Sequence, residues 1–128
     1  MENMTLEEVQ KQVDDYISQF EEGYFDPPTL ILRFCEELGE LSRVVSHRYG
    51  PKKKKPGEEE GDMELEMGDL FFVLICLANR QGYDLNEIFQ KTMEKYNHRD
   101  KERWTRKKEK PPSYEGGNEP INELDLNQ

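Results

Sequence analysis

The residues best equipped for chemistry in this 128-residue chain are acidic, and they come in two short stretches, Glu36-Glu37-Leu38-Gly39-Glu40 and Glu66-Met67-Gly68-Asp69. In each, two carboxylates three residues apart (Glu37 with Glu40, Glu66 with Asp69) fall in a run with helical apolar spacing, so both project from one side of their helix. Leu38, Leu41 and Val45 follow the first pair, and Leu70, Val73 and Leu77 the second, which sets all four acids at the margin of the core. Anions in such a place must be protonated, paired with a base or gathered around a cation. No lysine or arginine interrupts either stripe so as to pair with all four, and an all-oxygen donor set suits a hard divalent cation. The competing reading is that the acids face water, because glutamates at this spacing are common on solvated helices; spacing alone leaves both open. Gly39 and Gly68 each precede the second acid of a pair. In a helix interior glycine costs about 1 kcal/mol against alanine, which points to a close approach at both places.

Helices must carry these acids, and the chain marks their ends. Thr5 with Glu8 makes a capping box for a first helix whose apolar face is Leu6, Val9, Val13, Tyr16, Ile17 and Phe20, closed by Glu21-Glu22-Gly23. Asp26 before Pro27-Pro28 reads as the cap of a second helix running from Thr29 to about Tyr49 and stopped by Gly50-Pro51. Lys52 to Lys55 follow, either a strap that reaches over a phosphate or simply a solvated loop. Asp62 caps a third helix through Leu70-Phe71-Phe72-Val73-Leu74-Ile75-Cys76-Leu77-Ala78, apolar all round and therefore the expected centre of the fold. Asp84 and Glu87 repeat the capping-box spacing before a fourth helix with Leu85, Ile88, Phe89, Met93 and Tyr96 on its apolar face and Lys91, Lys95 and Arg99 along its flank. The expected division is a helical domain over residues 1–104 and a charged, disordered tail over 105–128.

Composition narrows the function. A net charge of −10 disfavours binding to a nucleic-acid polymer, whose phosphates would repel the surface, but leaves room for one small phosphate ligand held through a metal. With 34% hydrophobic and 36% charged residues, thin amphipathic helices are expected whose remaining apolar edges meet another copy, a solvated monomer being the alternative. Cys35 and Cys76 lie in apolar helical runs and read as small hydrophobes rather than a disulfide. Met1-Glu2-Asn3-Met4 lacks the basic start and apolar core of a secretory signal, and no run approaches membrane-spanning length, so a cytoplasmic location without membrane contact is expected. His47 and His98 do not make the Glu-x-x-His spacing of di-iron bundles.

Glu37-Leu38-Gly39-Glu40, residues 41 to 65, and then Glu66-Met67-Gly68-Asp69 together resemble the paired acidic signature of the MazG-like nucleotide pyrophosphohydrolases, a branch of the all-α NTP pyrophosphatase superfamily. The similarity continues through Leu70-Phe71-Phe72-Val73-Leu74, the Arg80-Gln81-Gly82-Tyr83-Asp84-Leu85 turn and Met93-Glu94-Lys95-Tyr96-Asn97-His98-Arg99, and so covers roughly residues 28 to 104.

The resemblance implies an all-α, four-helix antiparallel bundle completed by homo-oligomerisation, as a homodimer or homotetramer. It implies Glu37, Glu40, Glu66 and Asp69 as ligands of magnesium, with manganese as the alternative ion, and attack of water on the α-phosphorus of a nucleoside triphosphate, leaving monophosphate and pyrophosphate. Glu36 takes the place where some members carry the acid that positions or deprotonates that water, although an adjacent helical residue points about 100° away from its neighbour. Lys91, Lys95, Asn97 and Arg99 are the candidates to hold the triphosphate tail, against a reading as solvated helix charges. Tyr49, Tyr83 and Trp104 could stack on a base or serve packing. Hydrolysis of phosphoribosyl-ATP is the neighbouring activity, and a non-catalytic helical interaction module the alternative outside catalysis.

Overall fold

The computed structural model describes residues 2–108 and has four α-helices, with no strand among the described residues: α1 (Leu6–Ile17), α2 (Pro27–Tyr49), α3 (Met63–Gln81) and α4 (Leu85–Arg99). The all-α class follows the expectation. Three of the four start signals act as the side-chain chemistry requires. Thr5 and Glu8 form the reciprocal capping box of α1, Asp26 accepts from the Thr29 amide ahead of α2 with prolines in its first turn, and Asp62 accepts from the Glu64 and Leu65 amides ahead of α3. These bonds satisfy amides that a helix start leaves without partners, and the Thr29 side chain, followed by its amide, holds the Asp26 carboxyl below its ordinary range. The fourth start differs from the expected box: Asp84 accepts from the Asn86 amide, two residues on. Helix α1 ends at Ile17, and the chain turns back through Gly23, whose positive φ of 63° suits glycine. Gly82, at φ 71°, closes α3 in the same way.

The chain divides into two units, Met1–Glu94 and Lys95–Gln128, the division falling within α4. In the first, α3 packs against both α2 and α1. Gln10 meets Asn79 and Tyr16 meets Phe72, so α1 runs antiparallel to α3; Arg48 near the end of α2 meets Gly61 just before α3, so α2 does too. The core is Val13, Leu30, Ile75, Cys76, Ala78 and Leu85. The central place expected of the apolar run 70–78 is therefore taken by one side of it: Ile75, Cys76 and Ala78 are buried, whereas Phe71, Phe72 and Leu74 stay more than a third exposed. On α4, Ile88, Phe89 and Met93 are likewise exposed. No described helix is long and apolar enough to cross a membrane.

One polar network ties these helices together. The Asn79 amide donates to the Gln10 carbonyl (2.9 Å) and to the Tyr24 hydroxyl (3.0 Å), and its oxygen accepts from the Gln10 side chain (2.9 Å). Gln10 in turn accepts from the Leu85 amide at the start of α4 and donates to the Tyr83 carbonyl. Replacing Asn79 with alanine strips partners from several half-buried groups at once, and urea denaturation should show a loss of about 1–3 kcal/mol.

In the second unit, whose described part ends at residue 108, Arg99 pairs bidentately with Asp100 (2.9 and 3.1 Å) and lies over the Tyr96 ring at 4.4 Å, while Arg103 lies over Trp104. Of the expected charged tail, residues 109–128 fall outside the described residues.

Candidate active site

The two acidic stretches sit in the middle of α2 and in the first half of α3, and the antiparallel packing of those helices brings them together. One carboxylate oxygen each from Glu37, Glu66 and Asp69 lies within 4.8 Å of the others; Glu37 and Glu66 are half-buried and Asp69 is exposed. The Glu37 carboxyl is pushed above its ordinary range, first by burial and then by the negative charges of Asp69 and Glu66, with Arg33 acting in the opposite sense and Glu40 adding to the rise. This is negative charge in search of a counter-charge. Among the described residues these three are the group that could hold an ion, and three convergent oxygens at the edge of solvent fit a hard divalent cation such as magnesium, which keeps waters and takes only a few protein carboxylates.

Glu40 stands apart from that group. Its Oε2 accepts from Arg43 Nη2 at 3.0 Å, one helical turn further along α2. No base in the sequence is spaced to pair with all four acids, but Arg43 is placed to take a single one. Glu36 is exposed and outside the group, in line with the angular separation of adjacent helical residues. The two glycines also differ from expectation, since a Cβ at Gly39 or Gly68 would meet nothing within 4 Å; the close approach is instead at Gly61, where a Cβ would overlap the Val44 side chain. Lys52 to Lys55 are exposed, and Cys35 is exposed rather than packed as a small hydrophobe. Lys91 is exposed on the part of α4 that belongs to the first unit, whereas Lys95, Asn97 and Arg99 belong to the second.

Beside the acids opens a cavity of about 410 Å³ whose wall includes both Glu37 and Asp69. Five aromatic residues, Tyr16, Phe20, Tyr24, Phe25 and Phe72, make up much of the rest of the wall, with Ile17, Leu30 and Val73 between them, Glu22 as a further acid and Arg33 as its one cation. Tyr16 meets Phe20 and Phe72 edge-on, with ring centroids 5.5 and 6.0 Å apart, and the Arg33 guanidinium lies 5.5 Å from the centre of the Phe25 ring. Tyr24 is fixed in the wall by donating to Asp14 (2.7 Å) and accepting from Asn79; burial and Asp14 push its hydroxyl up to about 12, so it stays protonated as a donor. Burial pushes the thiol of Cys76, another lining residue, up to about 11, which makes it an apolar surface rather than a nucleophile. Tyr49, Tyr83 and Trp104, the aromatics picked out from the sequence, are exposed and do not line this cavity. The signal that could have found the right ones is the density of aromatics between Tyr16 and Phe25, just where the chain turns back from α1 to α2.

Residues 25–104 match the MazG nucleotide pyrophosphohydrolase domain. The chain belongs to the MazG family. Among its relatives, YpjD of Bacillus subtilis (strain 168), described as an uncharacterized protein, is 52% identical over 109 residues, covering 85% of this chain and 98% of YpjD. A crystal structure of B. subtilis YpjD, described as a candidate pyrophosphatase, superposes with a TM-score of 0.68 at 49% identity, covering 76% of this chain and 99% of that one. The Bacillus-conserved MazG protein, a nucleotide pyrophosphohydrolase, does so with a TM-score of 0.65 at 42% identity, over 84% and 98% of the two chains. Membership of the MazG family makes this chain a hydrolase of nucleotides in a generally metal-dependent group, and both acidic stretches lie inside the matched residues.

Proposed function

We propose that this chain hydrolyses nucleoside triphosphates to the monophosphate and pyrophosphate with magnesium, manganese serving in its place, and that deoxy or non-standard nucleotides are among its substrates. The observation that carries this reading is that Glu37 and Asp69 belong both to the carboxylate group and to the wall of the aromatic cavity, so a ligand with a flat ring at one end and phosphates at the other would span the two. Glu37, Glu66 and Asp69 would hold the cation, joined by Glu40. A bound divalent cation neutralises phosphate charge and lowers the pKa of water. Phe25, stacked with Arg33, and the Tyr16–Phe72 pair offer the base its apolar faces. Glu36, a free carboxylate on the same stretch of α2, is the candidate to take the proton of the attacking water as it adds to the α-phosphorus and pyrophosphate leaves. Lys91, Lys95, Asn97 and Arg99 have the side-chain types that suit a triphosphate tail; for Arg99 this means exchanging its present partner, Asp100.

Exposed Leu65, Phe71 and Leu74 on α3 and Ile88 and Phe89 on α4 support a second copy of the chain as the cover for these helices, in a homodimer or a homotetramer. The two free cysteines accord with a reducing compartment, the cytoplasm.

The test is a panel of ribo-, deoxy- and modified nucleoside triphosphates with magnesium, scoring pyrophosphate against orthophosphate. Pyrophosphate with the monophosphate is expected; orthophosphate with the diphosphate would overturn attack at the α-phosphorus. On the best substrate, Phe25→Ala should raise KM by at least about fivefold, the lower end of what one stacked base contributes, with kcat little changed.

A further inference from the structure

Arg43 is shared between two carboxylates of different standing. One terminal nitrogen binds Glu40 at 3.0 Å, on the candidate metal-binding turn of α2; the other lies 3.5 Å from Oε1 of Glu58, in the connection between α2 and α3. Glu58 is secured independently of Arg43. Its Oε2 accepts from the Lys55 amide at 2.9 Å and lies 4.0 Å from His47 Nε2, and its carboxyl is held below the ordinary range, chiefly by the Lys55 amide.

Building on the metal reading above, we propose that Arg43 is a positioning residue that keeps Glu40 out of the Glu37, Glu66 and Asp69 group until a divalent cation draws it in, and that Glu58 is the standby partner that then keeps Arg43 neutralised. The chemistry of the fork supports this division. A guanidinium presents donors on two sides, so Arg43 can release one carboxylate without losing the other, which a lysine could not do as well. A cation arriving beside Glu40 competes for the same oxygens and repels Arg43, and the seat at Glu58 is already built. Both contacts are on the surface, where ion pairs contribute little; the device is therefore weak enough for a divalent ion to reverse.

The test is calorimetric titration of Mn²⁺, without nucleotide, into the full-length wild type, Arg43→Gln, Glu58→Gln, Glu40→Gln and the double variants that combine Arg43→Gln with each of the other two. Freed from Arg43, Glu40 should join the ion more readily, so Arg43→Gln should bind about two- to fivefold more tightly and Glu58→Gln about as much more weakly, the range an exposed ion pair supports. The decisive outcomes are the cycles. Arg43→Gln should have no effect once Glu40 is glutamine, and Glu58→Gln no effect once Arg43 is glutamine. If Arg43→Gln leaves affinity unchanged, or its effect persists in the Glu40→Gln background as mere long-range charge would make it, the role of Arg43 is overturned while the metal reading stands. A wild type that binds no Mn²⁺ overturns the metal reading and this inference with it.

Discussion

Glu37→Gln should yield a protein that is more stable without metal and nearly inactive with it. The Glu37 carboxyl sits above the ordinary range because burial and the nearby Asp69 and Glu66 disfavour its charged form. The folded state therefore holds that proton more tightly than the unfolded chain, and stability contributed by the protonated group is lost as pH rises from the unfolded pKa through the folded one. Above that window an ionised Glu37 works against the metal-free fold, and glutamine removes the penalty while keeping the shape. The Tm of Glu37→Gln should thus exceed that of the wild type at neutral pH without metal, the difference shrinking as the pH falls into the carboxylate range. With magnesium the order should reverse or close, because a ligand that binds only the folded state raises Tm the more the tighter it binds, and the variant would lack one of the proposed ligand oxygens. Turnover should drop by about 10²–10³-fold, the scale of losing one electrostatic contact to developing charge. A catalytic carboxylate that costs stability is a common trade at active sites. If Glu37 were an ordinary solvated acid, neither Tm nor turnover would move by much.

Ile75→Ala should be the most damaging single truncation for the fold. Ile75 is 2% exposed, the least of the buried core residues, and shares that core with Val13, Leu30 and Leu85 from the other three helices. Removing three carbons there leaves a cavity that rigid neighbours fill only in part, and about 2–5 kcal/mol is the usual result. A small domain has only about 5–15 kcal/mol in total. Urea unfolding should therefore show a large fall in midpoint with little change in slope. Because α3 also carries Glu66 and Asp69, activity should be lost in step with the folded fraction, and what remains folded in the cold should turn over at nearly the wild-type rate. A Leu74→Ala control, at a residue on the same helix that is 44% exposed, should cost much less in the monomer.

What could be read in the sequence was what is local. The caps at Thr5, Asp26 and Asp62 are side-chain bonds spanning two or three residues, and the glycine and proline stops need only their own backbone. The pairing of the two acidic stretches was also legible, because each pair declares its helix face and two antiparallel helices bring such faces together. Two features of the site were not. The diversion of Glu40 depends on a rotamer choice between an ion and Arg43, and Arg43 carries no mark in the sequence that separates it from other surface bases. The aromatic cavity is assembled from the end of α1 and the turn after it, from α2 and from α3; Phe20 and Phe72 read individually as ordinary core residues, and Phe25 lies between helices where periodicity assigns no face. Helical periodicity assigns a residue to a face; it does not say whether that face meets another helix, a ligand or a second copy of the chain. Phe71, Leu74 and Ile88 show the same limit, apolar and correctly spaced yet exposed in the single chain.

The most direct test of the account is a crystal of this protein grown with manganese, measured for anomalous scattering at the manganese edge. Strong anomalous density is predicted among the carboxylates of Glu37, Glu66 and Asp69, with Glu40 turned from Arg43 toward it. A peak elsewhere, or none while those three side chains extend separately into solvent, would contradict it.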